Sequence, residues 1–250
     1  MSALNEDILK YLSVSPFHLP QLFQTDHSAF MPLFEQEGTL LNLKKKDVIV
    51  SLNTQTDTVY ILKDGLILES TTNPNGLEKS TLFFPAYPIA FLSSIHHLPT
   101  VYSVRAFTDA QVIAIPYTNY LKLMQQNLAL IDVSLRFISF DSRNANTLVL
   151  QNYSCSTLEK IYQTIYCYHL ACQYFAPLKA VTLTQSLLAT LSGVHRTSVA
   201  TPSSSSKKRA LSSLKKRTSQ CSRPRPCSPW PLAICSSPAT PCKRLWHSLI

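Results

Sequence analysis

Between Gly38 and Pro116 apolar and polar residues alternate in short runs punctuated by turn residues, the period of two expected of half-buried strands. Thr39–Val50 is rich in strand formers around a Lys44-Lys45-Lys46 corner. Thr58–Leu62 and Leu66–Leu68 flank Lys63-Asp64-Gly65, which reads as a hairpin turn. Asn73-Pro74-Asn75-Gly76 is a second turn signal, between Leu66–Thr71 and Glu78–Phe84. Tyr102–Ala106 and Gln111–Ile115 flank a tight connection at Thr108-Asp109. Short strands at this spacing predict a small β-barrel or roll. Ahead of them, Asn5-Glu6-Asp7 with Ile8 and Leu12 predicts a short helix.

Past Pro116 the period lengthens. Tyr117–Gln126 reads as one helix and Asn127–Asn152 as another, 26 residues without glycine or proline. In the second, Ile131, Leu135, Ile138, Ser142, Ala145 and Val149 recur at alternating intervals of four and three, the seam of a two-stranded coiled coil. Leu130, Val133, Phe137, Phe140 and Leu148 form a second apolar side. The seam suits a dimer interface, the second side packing on the barrel; the plainer alternative has the whole helix packed on its own barrel. Ser156 and Glu159 form a capping box opening a further helix with Ile161, Ile165, Tyr168 and Cys172 on one stripe. Cys167 and Cys172 read as core thiols of a reduced, cytosolic protein; their five-residue spacing does not bring both to one helical face, so a metal pair is not expected.

The sharpest local pattern is Thr184–Ala200. Thr184 caps a short helix carrying Leu187, Leu188 and Leu191, and Gly193 supplies a turn that needs positive φ. Ala189 is small where a second helix must cross closely, and Val194 and Val199 are set to be buried between the two. His195, Arg196, Thr197 and Ser198 open that second helix on its polar side. This is a helix-turn-helix layout, in which the start of the second helix enters the major groove of DNA. Arg196 would donate two hydrogen bonds to guanine. Thr197 and Ser198 would touch a base edge or phosphate, and Thr184 and His195 complete the candidate DNA contacts.

Composition changes the picture at one place. The chain carries 23 Lys and Arg against 14 Asp and Glu, a formal charge of +9 that alone suggests nucleic-acid binding. Residues 201–250 hold ten of those basic side chains and no acidic one, together with four of the seven cysteines and seven of the 16 prolines. Taking those ten from 23 leaves 13 basic against 14 acidic side chains in residues 1–200, a net of −1. The excess therefore belongs to the tail, and the charge marks a break in the chain near residue 200. A 45% hydrophobic content excludes a wholly disordered polymer. No apolar run reaches the ~18 residues of a membrane span. The acidic start, MSALNEDILKYLS, lacks the basic segment of a secretion signal. No Ser-His-Asp set, carboxylate pair or phosphate loop points to an enzyme. The adjacent His96 and His97 would face opposite sides of a strand, so a cupin-type metal set is not expected.

A β-roll, a long helix and a helix-turn-helix, in that order, resemble the Crp/Fnr family of bacterial transcription regulators. The resemblance runs from about Gly38 to Ala200. Lys63-Asp64-Gly65 is similar to the family's barrel hairpin, Val104-Arg105-Ala106 to its late strand, and Gly193–Val199 to its helix-turn-helix. The Gly-Val-His turn and the short barrel are similar to the branch that regulates reductive dehalogenation in anaerobes. The resemblance implies an α+β fold: a cyclic-nucleotide-binding-like β-roll (1–126), a dimerisation helix (127–152), and a winged helix-turn-helix (153–200) that is incomplete, followed by the tail (201–250). It also implies a cytoplasmic homodimer on palindromic promoter DNA, most often an activator working with RNA polymerase, and a small-molecule effector held in the barrel. The dimer would meet through Ile131, Leu135, Ile138, Ala145 and Val149.

The cofactor expectation is none. Cyclic-nucleotide binders of the family hold the phosphate with Gly-Glu and Arg-Ser/Thr-Ala segments, where this chain reads Tyr87-Pro88-Ile89-Ala90-Phe91 and Thr100-Val101-Tyr102, so cyclic AMP is not expected. The first cysteine is Cys155, so the N-terminal cluster that ligates iron and sulfur is missing. His18, His27, His96 and His97 are isolated and fit surface or core roles better than haem. The remaining effector is apolar or aromatic, between barrel and long helix, lined by Tyr87, Phe91, His96, Phe137 and Phe140; the plain alternative is that these side chains are simply core.

After Ala200 the family pattern should continue as a helix and a β wing, but Pro202 and four serines follow, and the proline breaks the helix. A slipped reading frame accounts for this. Ser206–Ser213 can be encoded AGC-AAG-AAG-AGG-GCA-TTA-TCA-AGC, which from its third base reads Gln-Glu-Glu-Gly-Ile-Ile-Lys, a helix end, glycine cap and first wing strand. Rival readings of the tail are a phosphate-binding basic arm, a zinc set from Cys221, Cys227, Cys235, Cys242 and His247 that lacks any CxxC knuckle, and a serine- and proline-rich disordered segment. With the recognition helix cut short, the competing function is an effector-sensing and dimerisation module without DNA binding.

Overall fold

The computed structural model describes Leu12 and residues 15–200. The expected N-terminal helix, apart from Leu12, and every reading of residues 201–250, including the slipped frame, lie outside the described residues.

Among the described residues nine strands form two sheets. One has the order β1 (Phe17–His18), β6 (Glu78–Phe83), β5 (Ile67–Thr72), β8 (Ser103–Ala106), β3 (Val48–Val50); the other runs β2 (Thr39–Leu43), β9 (Ala110–Pro116), β4 (Thr58–Asp64), β7 (Pro88–Ile89). Asn73–Gly76 is a true hairpin between β5 and β6. The Asn73 side-chain oxygen accepts the Asn75 and Leu77 amides, and Gly76 takes a φ of 76°. Lys63-Asp64-Gly65 is not. β4 pairs with β7 and β9, β5 with β6 and β8, so this turn carries the chain from one sheet to the other. Gly65 allows it: its φ is 86°, and a Cβ there would stand 2.5 Å from the Asp109 carbonyl oxygen. The Thr108-Asp109 connection makes the matching crossing back, from β8 to β9.

Seven helices complete the described residues: α1 (Met31–Glu37), α2 (Phe91–His96), α3 (Tyr117–Gln126), α4 (Leu128–Ser154), α5 (Thr157–Tyr174), α6 (Gln185–Ser192) and α7 (Arg196–Ala200). Asn127 caps α4, its side chain accepting the Ala129 and Leu130 amides, and Ser156 and Glu159 close the capping box of α5. Both ends fall within two residues of where the sequence places them.

Two apolar clusters explain the layering. Val59, Ile61, Ile67, Phe83, Val104, Ile113 and Ile115 fill the barrel with Tyr120, Leu130 and Phe137 from α3 and α4. Leu66, Leu68, Leu82 and Phe84 point the other way and pack with Phe17, Ile161, Ile165, Leu188 and Val199. The five-stranded sheet is thus covered on both faces, because neighbouring residues of one strand face opposite sides. The second cluster seats α5, α6 and α7 directly on the barrel wall.

Candidate functional site

Two places in this fold hold the residues that the sequence points to. The first is a cleft where β5, β7 and α2 meet α4. Tyr87, Phe91, Tyr102 and Phe137 wall it, and Glu69 and Asp141 face into it; the cavity measures about 40 Å³, room for about three waters. Tyr87 stacks on Phe83 at 3.8 Å and meets Phe137 edge-on at 5.3 Å. The Tyr102 hydroxyl lies 3.1 Å from that of Ser93. Ala86 and Ala90, on either side of Tyr87–Ile89, adopt φ values of 70° and 60°. That left-handed backbone costs an L residue about 1–2 kcal/mol each, so packing holds this segment in a form its sequence does not favour.

The cleft is acidic. Burial pushes the Glu69 carboxyl up to about 8, with the Asp141 charge adding to it. Burial also raises Asp141, and Tyr102 goes up to about 12 through burial and then Glu69. No cationic side chain lines the cavity. Arg105, in the late strand, is exposed and pairs with Glu78 at 3.5 Å instead. A cyclic phosphodiester needs donors and positive charge; this donor set does not fit one.

Of the five residues expected to line the effector cavity, the fold brings Tyr87, Phe91 and Phe137 together there. His96 is exposed at the end of α2, on a helix rather than the strand assumed for the His96-His97 pair, and Phe140 packs against Phe23 at 4.3 Å and His18 at 4.5 Å behind the cleft.

The second place is the α6–α7 pair. The Thr184 hydroxyl oxygen accepts the Leu187 amide at 3.2 Å, and Gly193 ends α6 with φ 63° and ψ 43°. The Val194 amide donates to the Ala189 carbonyl at 3.0 Å, closing the turn. Ala189, Val194 and Val199 are buried, whereas His195, Arg196 and Thr197 are exposed and Ser198 is half-buried. The polar residues thus share one outward end, while the apolar ones bind that end to the barrel wall.

Residues 40–127 match the cyclic nucleotide-binding domain family. CprK in complex with OCPA superposes with a TM-score of 0.56 at 14% identity, over 81% of this chain and 87% of that one. A Crp/Fnr-family protein from Eubacterium rectale gives 0.53 at 14%, over 78% and 86%. FixK2 from Bradyrhizobium japonicum gives 0.52 at 12%, over 72% and 86%. The chain has the Crp/Fnr fold. No curated protein matches it in sequence.

In this fold most of the α4 seam lies on the side away from the barrel, with Ile138 packed against the barrel core. Leu135 and Val149 are 58% and 52% exposed, Ala145 is exposed, and Ile131 and Ile138 are half-buried. Leu130, Val133 and Phe137 face inward. Sequence reasoning missed Glu69, Tyr102 and Asp141. The signal for Asp141 was present: it follows Phe137 by one helical turn on the barrel-facing stripe, where a charge is out of place. Glu69 and Tyr102 carry no local mark, since only the pairing of β5 with β8 sets them near the helix.

Proposed function

We propose that the chain is a cytoplasmic, non-enzymatic transcription regulator of the Crp/Fnr type, a homodimer through the α4 seam that binds a palindromic promoter and answers to a small effector in the acidic-aromatic cleft. The observation that carries the reading is the α6–α7 pair: a Thr184 cap, a left-handed Gly193, a buried Ala189–Val194–Val199 joint and an exposed His195-Arg196-Thr197 end. Activation through RNA polymerase belongs to the same reading. The effector is small and lacks a phosphate: the cleft is aromatic on several sides and no cationic side chain lines it to hold an anion. In domain terms this assigns sensing to 1–126, dimerisation to 127–152 and DNA contact to 153–200.

Pro202, two residues beyond the described end of α7, favours a second reading, in which the module senses and dimerises without specific DNA binding. Selection of duplexes from a random library with the 250-residue chain, at physiological salt, separates the two. The first expects enrichment of a two-fold-symmetric sequence and a loss of roughly 5- to 150-fold for Arg196→Ala, the value of one bidentate base contact. Failure to enrich any sequence, with dimerisation intact, leaves the second.

A further inference from the structure

A second pocket lies where β6, the end of α4, α5 and α6 converge, beneath the Gly193 turn. Its polar lining is neutral amides and hydroxyls together with two lysines. Lys79 and Lys160 supply two ammonium groups, and no carboxylate lines it. Ser192 is 5% exposed and its hydroxyl has no partner; the Gln163 side-chain NH₂ is also buried without one. Lys79 spends one proton on the Leu191 carbonyl, at the C-terminal end of α6, and Lys160 spends one on the Asn152 side-chain oxygen at 3.0 Å. Each ammonium keeps two further donors. Burial, then the Lys160 charge, brings Lys79 down to about 8, which leaves it mostly charged at neutral pH.

Two cations held close together and two orphaned donors are a costly arrangement without an acceptor. A tetrahedral oxyanion supplies acceptors for all four at once. The cavity of about 30 Å³ holds two or three water-sized atoms, the scale of a phosphoryl group and too small for a nucleoside. We propose that this pocket binds a small oxyanion, either free phosphate or sulfate or the phosphoryl end of a larger molecule, and that the anion ties the α6–α7 pair to the barrel wall. The site is separate from the acidic cleft and needs neither effector nor DNA.

The test is thermal unfolding and titration calorimetry of the whole chain in sodium phosphate against sodium chloride at equal ionic strength. Wild type is expected to gain stability saturably in phosphate alone. Lys160→Gln weakens the half-saturation point about tenfold or more, as loss of a charge-assisted contact does. Ser192→Ala is at least as stable as wild type without phosphate, because it deletes an unpaired hydroxyl, yet binds phosphate several-fold more weakly. The basic 201–250 segment is present in every variant, so its own phosphate binding cancels. Adenosine monophosphate that binds more tightly than phosphate, with the same losses in the variants, assigns the site to a phosphoryl group on a larger ligand; equal or weaker binding assigns it to the free anion. Equal midpoints in wild type and both variants, or a gain that never saturates, overturns the proposal.

Discussion

His18 shows what a single position can cost. It is 2% exposed, ringed by Phe23, Phe83, Tyr87, Phe137 and Phe140, and neither ring nitrogen has a hydrogen-bond partner. Burial holds its pKa down at about 3 against an ordinary 6.5. The unfolded chain therefore takes the proton first. This contribution to stability is intact above pH 6.5 and is lost as pH falls toward 3, at about 1.4 kcal/mol per pH unit. His27, brought down to about 4, acts in the same direction. His18→Leu is expected to gain about 1–3 kcal/mol at pH 7 by removing the unpaired nitrogens, and to flatten the loss between pH 6.5 and 5. Urea unfolding at pH 7, 6.5 and 5 measures both; an unchanged pH slope would mean that another group carries the acid sensitivity. At the same scale, Arg196 and Thr197 were legible as outward-facing from the turn chemistry alone, whereas nothing near His18 in the chain announces its aromatic cage.

At the scale of the element, α4 serves two masters. Its inward stripe of Leu130, Val133 and Phe137 closes the barrel, and Ile131, Leu135, Ile138, Ala145 and Val149 run along the flank and outer side. Both stripes were readable because a helix repeats every 3.6 residues and its heptad neighbours stay on one side. Leu135→Lys with Val149→Lys is expected to turn a dimer into a monomer by light scattering. It should leave folding within about 0.5 kcal/mol, since both side chains are already largely exposed in one chain. A double variant that stays dimeric removes the seam from the interface. The turn at Lys63-Asp64-Gly65 taught the opposite lesson. The sequence signals for a hairpin and for a crossing between sheets are the same glycine, and only the partners of β4 and β5 tell them apart.

The whole molecule is joined by the outer face of the five-stranded sheet. Leu66, Leu68, Leu82 and Phe84 unite the barrel with α5, α6 and α7 in one apolar cluster. The Lys79 bond to the Leu191 carbonyl pins the same contact. One cooperative unfolding transition follows, and Leu82→Ala should shift it by about 2–5 kcal/mol without splitting it. Calorimetry resolving two transitions in the variant would mean that the helices and the barrel fold as separate units.

The sequence by itself determined the main strands between Gly38 and Pro116, the order of the helices after them, the caps at Ser156 and Thr184, the Gly193 turn and the two stripes of α4. These are encoded within a few residues of one another, in side-chain period, capping chemistry and backbone preference. Tertiary structure alone decided which strands pair, that the sheet is covered on both faces, and that Glu69 and Asp141 meet in one cleft while Lys79, Lys160, Gln163 and Ser192 meet in another. Those residues are 72 and up to 113 positions apart, and no local preference reaches that far. The packing of sheet on helix brings them together, and with them the acidic character of one pocket and the basic character of the other.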